Sequence, residues 1–434
     1  MGRRQRKSKR IKLACLKNYN KVKMLNNPLV LGIDLGTSGL RIAIINTKKK
    51  LLYTSSRSYP KSLEFCEDWI NCLRNLIQKI PIDIKERLVS CSVAGTSGTL
   101  LACRTNGEPI GQALPYFLTS SLYSNEINKL FSKECAGSST SGSVGRALKL
   151  INLYGTKILL RHQADWVSGW LLNNWEYGEE GNNIRMGWEI SNSSWPKSFQ
   201  NLNWINCLPK IIPSGQLMGN ICSKKADELN LPRNIKVIAG TTDSNAGVLA
   251  TFPKKNDGVT ILGSTIVIKK FVDKPLLGKG ISNHKILGNW LCGGASNAGA
   301  AILLDFFNLE YIDELSKQIN PNKYSGINLI PLSKQGERFP IDDPNLQPKL
   351  EPRPVSDSLY LHAIFEGLAK IEARGWQKLQ ELGADLPRQI ITIGGGAKNI
   401  TWKKIREREI GIPIKICNRP PAAGVASIAL QTLL

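Results

Sequence analysis

The chain has 434 residues and is strongly basic, with 58 lysines and arginines against 34 acidic residues and a net charge of +24. A chain of this length usually divides into two domains. No apolar run approaches the roughly 18 to 20 residues that a membrane span needs, and no cleavable apolar signal segment opens the chain, so we expect a cytoplasmic protein without a membrane partner. The ten cysteines are scattered without a CxxC pair, which favours reduced, mostly buried thiols over disulfides or zinc.

Positive charge is concentrated at the start of the chain. Residues 1–27 carry ten lysines or arginines and no acidic residue, which leaves a net charge of +14 for the remainder. We expect this segment to be a disordered, solvated extension. The other basic residues are spread out and lack a cluster with interleaved aromatics, so nucleic acid is not the expected partner despite the basic charge.

The segment from Leu29 to Asn46 reads as strand, tight turn and strand. Its apolar residues recur with a period of two on both sides of the turn, which predicts a hairpin. Glycines bracket the hydroxyls of Thr37 and Ser38, and their lack of a Cβ lets backbone N–H groups approach a phosphate. A carboxylate at Asp34 would repel that phosphate unless a cation lay between them, so Asp34 points to Mg²⁺ bound through water. An ordinary buried hairpin is the alternative.

An internal repeat follows from the order of the predicted elements. The first half has a strand, the turn and a second strand, then a third strand at 51–59, a helix at 64–80 and a strand at 87–94. The same order returns in the second half, at 258–262, 265–271, 287–292, 297–307 and 390–393. Each half places a turn of hydroxyl residues and glycine between its first two strands. The two halves are therefore expected to be duplicated domains.

A domain boundary is predicted near 241–255, where turn-forming residues break an apolar run. The expected domains are an N-terminal one at 28–245 and a C-terminal one at 246–434. Residues 105–230 show a less clear periodicity and are interpreted as an insertion. The connection between the domains is a candidate hinge.

Seven segments in order along the chain resemble the motifs of the FGGY carbohydrate kinases, and are most similar to the ribulose and xylulose kinase-like branch of cyanobacteria and plants. They are the opening hairpin, Val93–Thr99, Ala239–Ala246, Leu262–Thr265, Gly293–Gly299, Glu337–Pro340 and Gly394–Trp402. One glycine motif is weak support, whereas seven in family order are strong. The resemblance implies an α/β fold with two duplicated domains of the actin, Hsp70 and hexokinase type, which is ribonuclease H-like, and a nucleotide cleft between them. It also implies that the C-terminal domain lies on the nucleotide side and that the insertion at 105–230 lies on the sugar side, where substrate identity would be decided.

The resemblance also implies a reaction. Such a protein would be a carbohydrate kinase that transfers the γ-phosphoryl group of ATP, with Mg²⁺, to a small ketose, D-ribulose first and D-xylulose second. Its partners would be the sugar and ATP, and it would be a monomer or a homodimer. The alternative is a non-catalytic or weakly hydrolytic sensor that binds ATP and a carbohydrate. The presence of both Asp34 and Asp243 disfavours the sensor, because a binding module needs no base.

The resemblance assigns Asp243, which follows a predicted strand at 236–239, as the catalytic base that accepts the proton of the attacking hydroxyl. An N-cap of the next helix is the alternative for this residue. Asp34 would act with it, binding Mg²⁺ and orienting the phosphate or the attacking hydroxyl, so both carboxylates would contact the substrate. Ser97 is the candidate for binding a sugar hydroxyl, and a plain turn serine is the alternative.

The remaining candidates bind the nucleotide. The β- and γ-phosphates are assigned to the two hydroxyl-glycine turns, at Gly36, Thr37, Ser38, Gly263, Ser264 and Thr265. The nucleoside is assigned to two later turns, at Gly294, Ala295, Asn297, Gly395, Gly396, Asn399 and Trp402. Close helix packing is the alternative for the first of these later turns, and a core position is the alternative for Trp402. Arg338 is interpreted as part of an ion pair that holds the fold.

The sugar side departs from the family pattern. Ala94 stands where many members have an aspartate, and Phe117 and Leu118 follow Tyr116 where members have a polar pair. The run at 175–183 differs as well. Missing polar partners can lower specificity by orders of magnitude. The substrate is therefore less well defined than the reaction.

Overall fold

The computed structural model describes residues 27–131 and 135–433. The predicted disordered extension at 1–27 lies outside the described residues, apart from Asn27. The strands are β1 Leu29–Leu35, β2 Gly39–Asn46, β3 Leu51–Ser58, β4 Leu88–Gly95, β5 Leu100–Cys103, β6 Pro109–Leu114, β7 Leu159–His162, β8 Tyr177–Glu179, β9 Lys210–Ile212, β10 Leu217–Asn220, β11 Lys236–Thr242, β12 Asp257–Leu262, β13 Ile266–Val272, β14 Ile281–Ile286, β15 Asn289–Ala295, β16 Gln389–Ile393 and β17 Ile414–Ile416.

The helices are α1 Cys66–Gln78, α2 Ile82–Lys85, α3 Ser124–Leu130, α4 Ser143–Tyr154, α5 Gln163–Leu172, α6 Glu180–Asn183, α7 Ser223–Leu229, α8 Asp243–Ala250, α9 Ala301–Leu304, α10 Leu309–Gln318, α11 Asp357–Glu381, α12 Ile400–Ile410 and α13 Pro421–Ala429. Within the described ranges, none of them combines the length and the apolar character that a bilayer span requires.

The described residues divide into two compact units. The first unit holds the residues up to Ala246 together with those from Pro420 onward, and the second unit is Gly247–Arg419. The division falls inside α8, next to the boundary expected from the sequence. The predicted C-terminal domain, 246–434, differs from the second unit at its end, because the last helix belongs to the first unit.

Close packing of α13 on β1 explains this difference. The helix is rich in alanine, and a Cβ at Gly32 in the middle of β1 would lie 1.9 Å from the carbonyl oxygen of Ala422. A glycine at this position therefore lets the helix backbone approach the strand. The hydroxyl of Ser90, in β4, donates to the carbonyl oxygen of Ala429 at 2.8 Å. These contacts join the C-terminal segment to the sheet of the first unit.

A mixed sheet in the order β10–β11–β4–β1–β2–β3 forms the centre of the first unit. The strands β1, β2 and β3 are antiparallel neighbours, whereas β4 and β11 extend the sheet in the direction of β1. The side of α1 that carries the fully buried Trp69 packs on this sheet. Because β1, β4 and β11 are parallel, their carboxyl ends meet at one edge, where ligands of open α/β sheets bind.

The second unit repeats this plan with a sheet in the order β14–β15–β13–β12–β16–β17. The antiparallel strands β12, β13 and β15 correspond to β1, β2 and β3, and the parallel strands β16 and β17 correspond to β4 and β11. The predicted duplication is confirmed. The edge strand β14 is an addition that the sequence did not predict.

The helix predicted at 297–307 is much shorter, because only α9, Ala301–Leu304, is α-helical. A Cβ at Gly299 would lie 2.4 Å from the carbonyl oxygen of Ser264. The backbone here therefore runs against the turn between β12 and β13, and it cannot begin a helix until it has passed that turn.

The insertion between β4 and β11 has a small core of its own. It contains a sheet in the order β6–β5–β7 and the helices α3 and α4. Val144, Phe199 and Trp204 are buried together in this core. The insertion therefore forms a packed layer from which loops reach the end of the main sheet.

Candidate active site

Three of the predicted site residues meet at the carboxyl ends of β1, β4 and β11. In the sheet register Asp34 lies opposite Ala94, and Ala94 lies opposite Thr241. Asp34, the turn after β4 and Asp243 therefore stand at neighbouring strand ends. The backbone N–H of Ser97 lies close enough to Asp243 to lower the pKa of that carboxyl. We call Asp34, Ser97 and Asp243 the strand-end cluster.

Asp243 is the first residue of α8, and its side chain is partly exposed. Its Oδ1 accepts a hydrogen bond from the N–H of Ser244 at 2.7 Å, so the side chain also contacts the first turn of the helix. Desolvation raises the pKa of Asp243 to about 6. The backbone N–H groups of Ser244 and Ser97 and the charges of Arg185 and Arg41 act in the opposite direction. At neutral pH the carboxylate is therefore mostly ionised and can accept a proton.

Asp34 is only 1% exposed. Its Oδ2 lies 3.3 Å from Nη1 of Arg41, and its Oδ1 has no hydrogen-bond partner. Burial and the negative charge of Asp243 raise the pKa of Asp34 to about 7, while Arg41 acts in the opposite direction. The two aspartates therefore form an electrostatically coupled pair.

The unpaired Oδ1 of Asp34 fits the predicted role in binding Mg²⁺ through water, because a buried carboxylate oxygen without a donor can accept from a hydrated cation. No group of three or more His, Cys, Asp or Glu side chains in the described ranges could hold a metal. The protein would thus supply one or two carboxylates, and phosphate and water oxygens would complete the octahedron, which is usual for Mg²⁺.

The turn after β1 is tight and presents its hydroxyls to solvent. The N–H of Gly36 donates to the carbonyl oxygen of Gly39 at 2.9 Å, and Thr37 and Ser38 are exposed. The Thr37 hydroxyl lies 3.3 Å from the hydroxyl of Tyr116. Two hydroxyls and a glycine-bounded backbone are thus available to phosphate oxygens beside Asp34.

The equivalent turn of the second unit joins β12 to β13. The N–H of Gly263 donates to the carbonyl oxygen of Thr265 at 3.2 Å, and Ser264 is exposed. The carbonyl oxygen of Gly263 also accepts from the N–H of Ala300 at 2.9 Å. The turn has the same place in its sheet as the Gly36 turn has in the first unit.

Gly294 and Ala295 are strand residues and do not form the predicted turn. Gly294 lies in β15, opposite Ile268, and a Cβ there would lie 2.4 Å from the ring of Phe339. Close packing, rather than a turn, accounts for this glycine. Asn297 is exposed beyond the strand end, and its N–H donates to Oε1 of Glu337 at 2.7 Å.

Arg338 also holds the end of β15, but not through the predicted ion pair. Its Nε donates to the carbonyl oxygen of Ala295 at 2.7 Å. The carboxylate in this segment is that of Glu337, which accepts from the hydroxyl of Ser296 at 2.5 Å. The interpretation that Arg338 stabilises the fold stands, with a carbonyl oxygen as its acceptor.

Gly395 and Gly396 lie in a 3₁₀ turn that follows β16. A Cβ at Gly395 would meet no atom within 4 Å, whereas one at Gly396 would lie 2.6 Å from the ring of Trp402. Gly395 is therefore the glycine that leaves open surface for a ligand, and Gly396 is required for packing.

The predicted adenine contacts at Asn399 and Trp402 disagree with the structure. Asn399 caps α12 by accepting from the N–H of Trp402 at 2.8 Å, and its Nδ2 donates to the hydroxyl of Ser316 at 2.7 Å. Trp402 is 1% exposed and stacks on Phe365 with ring centroids 5.0 Å apart. Trp402 is thus a core residue, which was its alternative, and the side chain of Asn399 is occupied by the cap.

Arg146 in α4 is an important residue that sequence reasoning missed. It is 1% exposed, and it donates to the carbonyl oxygens of Gly98 at 3.0 Å, Leu118 at 2.7 Å and Ser141 at 3.1 Å. Burial and the nearby charge of Arg185 lower the pKa of Arg146 to about 10. One guanidinium group thus joins two loops of the insertion to the turn after β4.

Arg41 was also missed, although the sequence contained a signal for it. In the hairpin register Arg41 lies opposite Asp34. A two-residue turn fixes that register, so the pairing follows from the positions of the turn glycines. A Cβ at Gly36 would lie 2.8 Å from Nη1 of Arg41, so the glycine leaves room for this guanidinium.

The positions that depart from the family pattern have different surroundings. Ala94 is fully buried, whereas Phe117 is 54% and Leu118 is 39% exposed. The run at 175–183 is structural at its end, where Glu179 caps α6 and Nδ2 of Asn182 donates to the carbonyl oxygen of Thr241 at 3.3 Å. That run therefore supports the strand that leads to the catalytic candidate at 243.

Comparison with known proteins gives distant but extensive similarity. No protein-family model matches the chain. The chain is 18% identical to an autoinducer-2 kinase of Salmonella choleraesuis over 439 residues, which cover 89% of this chain and 82% of the relative. It is 24% identical to a xylulose kinase of Lactococcus lactis over 419 residues, which cover 85% and 80% of the two chains.

Solved structures cover almost the whole chain. A xylulose kinase from Rhodospirillum rubrum has a TM-score of 0.80 at 16% identity and covers 94% of this chain and 90% of its own. Plasmodium falciparum glycerol kinase with ADP has a TM-score of 0.80 at 14% identity, with coverages of 94% and 90%. A gluconate kinase from Lactobacillus acidophilus has a TM-score of 0.77 at 14% identity, with coverages of 94% and 89%. These proteins are carbohydrate kinases, and the chain has their two-domain, actin- and hexokinase-like α/β fold.

Proposed function

We propose that the protein is a carbohydrate kinase that transfers the γ-phosphoryl group of ATP to a hydroxyl group of a small sugar. The strand-end cluster is the observation that carries this proposal. It combines a carboxylate with a pKa of about 6, Asp243, with a second carboxylate at Asp34 and a turn hydroxyl at Ser97. A protein that only bound its ligands would gain nothing from a desolvated base. The carbohydrate kinases among its relatives support the same class of reaction.

In the proposed reaction, Asp243 accepts the proton of the attacking hydroxyl. The oxygen of that hydroxyl forms a bond to the γ-phosphorus of ATP while the bond from this phosphorus to the bridging oxygen breaks, and ADP leaves. The Thr37 and Ser38 hydroxyls donate to phosphate oxygens. When bound, Mg²⁺ would neutralise phosphate charge, and Asp34 would hold it through water.

The second unit is proposed to bind the remainder of the nucleotide. Ser264 is exposed in the hydroxyl turn, and Gly395 leaves open surface after β16. We therefore keep Gly263, Ser264 and Thr265 as phosphate-binding candidates and Gly395 as a nucleoside-binding candidate. Asn297 also stays a candidate because it is exposed, whereas the buried Trp402 does not.

D-Ribulose stays the first proposed substrate and D-xylulose the second, because of the resemblance to the ribulose and xylulose kinase-like branch. We also propose that the reaction takes place in the cytoplasm. The nine cysteines of the described ranges are free thiols, which fits a reducing compartment.

A coupled assay of ADP release tests the proposal. Purified protein with MgATP is given D-ribulose, D-xylulose, glycerol, D-gluconate or no acceptor, and the phosphorylated product is identified by mass spectrometry. We expect at least one sugar to raise ADP release well above the rate without acceptor, and Asp243→Asn to remove the increase. ADP release that no acceptor stimulates would reject the kinase.

A sensor that binds ATP and a carbohydrate is the second candidate. The exposed apolar side chains of Phe117 and Leu118, where polar residues were expected, favour it. A sensor would show calorimetric binding of both ligands without product formation. The affinity of a sensor for both ligands would also be unchanged in Asp243→Asn, and neither the wild type nor the variant would form product.

A further inference from the structure

Gln163, at the start of α5, connects to the turn that carries Ser97. Its side chain is fully buried, and its Oε1 accepts from the backbone N–H of Thr96 at 2.9 Å. The Thr96 hydroxyl lies 2.8 Å from the same Oε1 and 2.6 Å from the hydroxyl of Thr99. The amide oxygen of Gln163 thus holds Thr96, the residue before Ser97. Thr96 in turn contacts Thr99, the residue that closes the turn.

The other end of this amide lies near Tyr59, close enough to lower the pKa of its hydroxyl. Nε2 of Gln163 and the Tyr59 hydroxyl are both buried, and neither has a hydrogen-bond partner among the described residues. Tyr59 is buried, and the nearby charge of Asp34 adds to burial in raising the pKa of its hydroxyl, an effect that the Gln163 amide opposes. The amide therefore lies between the surroundings of Asp243 and those of Asp34.

The backbone around this glutamine is itself held in place. The preceding residue, His162, has Nε2 2.9 Å from the hydroxyl of Ser143. Asp165 accepts from the N–H of Glu179 and from Nδ2 of Asn183, each at 2.9 Å. All five side chains are buried. A support of this kind can fix the position of an attached turn to a fraction of an ångström, which active sites require.

We propose that Gln163 is a positioning residue for phosphoryl transfer, whose amide oxygen keeps the Ser97 turn against Asp243. The inference rests on the proposed kinase function and deepens it. Gln163 does not contact the substrate, because it is fully buried. It acts through the turn that it holds, whose Ser97 N–H is close enough to Asp243 to lower the pKa of that carboxyl. A small displacement of that turn would misplace both the base and the attacking hydroxyl, and an error of about 1 Å can lower a rate by about 10²-fold.

Two substitutions separate hydrogen bonding from packing. Gln163→Met keeps the volume of the side chain and removes both the acceptor and the donor. Gln163→Glu keeps an acceptor for Thr96, and in this buried place it would be protonated and so would also keep a donor. We expect Gln163→Met to lower kcat by about 10- to 100-fold with the KM for MgATP within about twofold, and Gln163→Glu to keep at least about a third of the wild-type kcat.

Ser90→Ala is the matched control. It removes a buried hydroxyl from the other end of β4, where the side chain bonds to Ala429 and not to the strand-end cluster. We expect it to lower the melting temperature while kcat stays at the wild-type value. A loss of kcat in Ser90→Ala as large as that in Gln163→Met would overturn the inference, because general destabilisation would then explain both.

Wild-type kcat in folded Gln163→Met, or equal losses in the Met and Glu variants, would also overturn it. If Gln163→Met does not fold, Thr96→Val decides instead, since it removes only the hydroxyl contact: a lower kcat at unchanged KM supports the inference and a wild-type kcat rejects it. If the wild-type protein phosphorylates no sugar, the proposed function fails separately. The crystal structure of Gln163→Met then tests the positioning alone, and an undisplaced Ser97 turn would reject it.

Discussion

The negative charge of Asp243 raises the pKa of Asp34, although the two aspartates follow different strands, β1 and β11, on either side of β4. Two coupled carboxylates lose their protons at different pH, here about 6 for Asp243 and about 7 for Asp34. Near neutrality Asp243 is therefore the carboxylate that is more fully ionised. This difference suits Asp243 for the role of base, while cation binding would favour the ionised form of Asp34.

Asp243→Asn should lower the rate of sugar phosphorylation by about 10²- to 10⁴-fold, the usual contribution of a general base, and leave nucleotide binding nearly unchanged. Steady-state kinetics and calorimetric titration with an ATP analogue measure the two effects. Asp227→Asn is the matched control, because Asp227 forms an exposed ion pair with Arg233 in the same unit. Near-normal turnover in Asp243→Asn would leave the helix cap as the role of this side chain.

The activity should fall as the pH drops below about 6. The pKa of Asp243 is raised to about 6, so at lower pH the carboxyl is protonated and cannot accept the substrate proton. The rate should therefore decrease by about tenfold for each further pH unit. The measurement is kcat/KM between pH 5 and pH 8, with coupling enzymes in excess. A flat profile over this range would exclude Asp243 as the base.

Asp34→Asn should stabilise the ligand-free protein more at pH 8 than at pH 5. The folded-state pKa is raised from 3.8 to about 7, so the stability contributed by the protonated form is complete below about pH 4 and is lost as the pH rises through 7. Asparagine carries no charge and avoids that loss. We expect the gain in the free energy of unfolding to be larger by about 2 to 3 kcal/mol at pH 8 than at pH 5.

Urea unfolding at the two pH values, without nucleotide, measures this gain. Asp227→Asn should show no such pH dependence, because the hydrogen bond from Arg233 lowers the pKa of Asp227 and the carboxylate is ionised at both pH values. An equal effect of Asp34→Asn at both pH values would mean that the carboxyl does not titrate in this range. The variant should also lose activity, since an amide cannot replace a carboxylate toward a cation.

Arg146→Met should destabilise the protein by about 2 kcal/mol, because the carbonyl oxygens of Gly98 and Leu118 would lose their donor. The loops joined by the guanidinium lie on the proposed sugar side, so the KM for the sugar should rise more than the KM for ATP. Thermal unfolding and two-substrate kinetics are the measurements. Parallel changes in both KM values would argue against a specific role on the sugar side.

Local patterns in the sequence were sufficient for much of the fold. Period-two alternation and the glycine turn predicted the hairpin of β1 and β2, and the return of the same order predicted the second sheet. These signals depend on neighbouring residues along the chain, because a strand shows its two faces in alternate positions. The places of Asp34, Ser97 and Asp243 at strand ends followed in the same way, from the turn or helix that comes after each strand.

Only the tertiary structure decided what each of these side chains contacts. The sequence predicted Trp402 as an adenine contact, whereas in the structure it stacks on Phe365 in the core. The last helix packs on the first unit because Gly32 has no Cβ that would block its backbone. The supports of the site, Gln163 and Arg146, reach their hydrogen-bond partners across wide separations in sequence. Periodicity reports the face on which a residue lies but not its partner, since hydrogen bonds and packing between distant segments form only when the chain is folded.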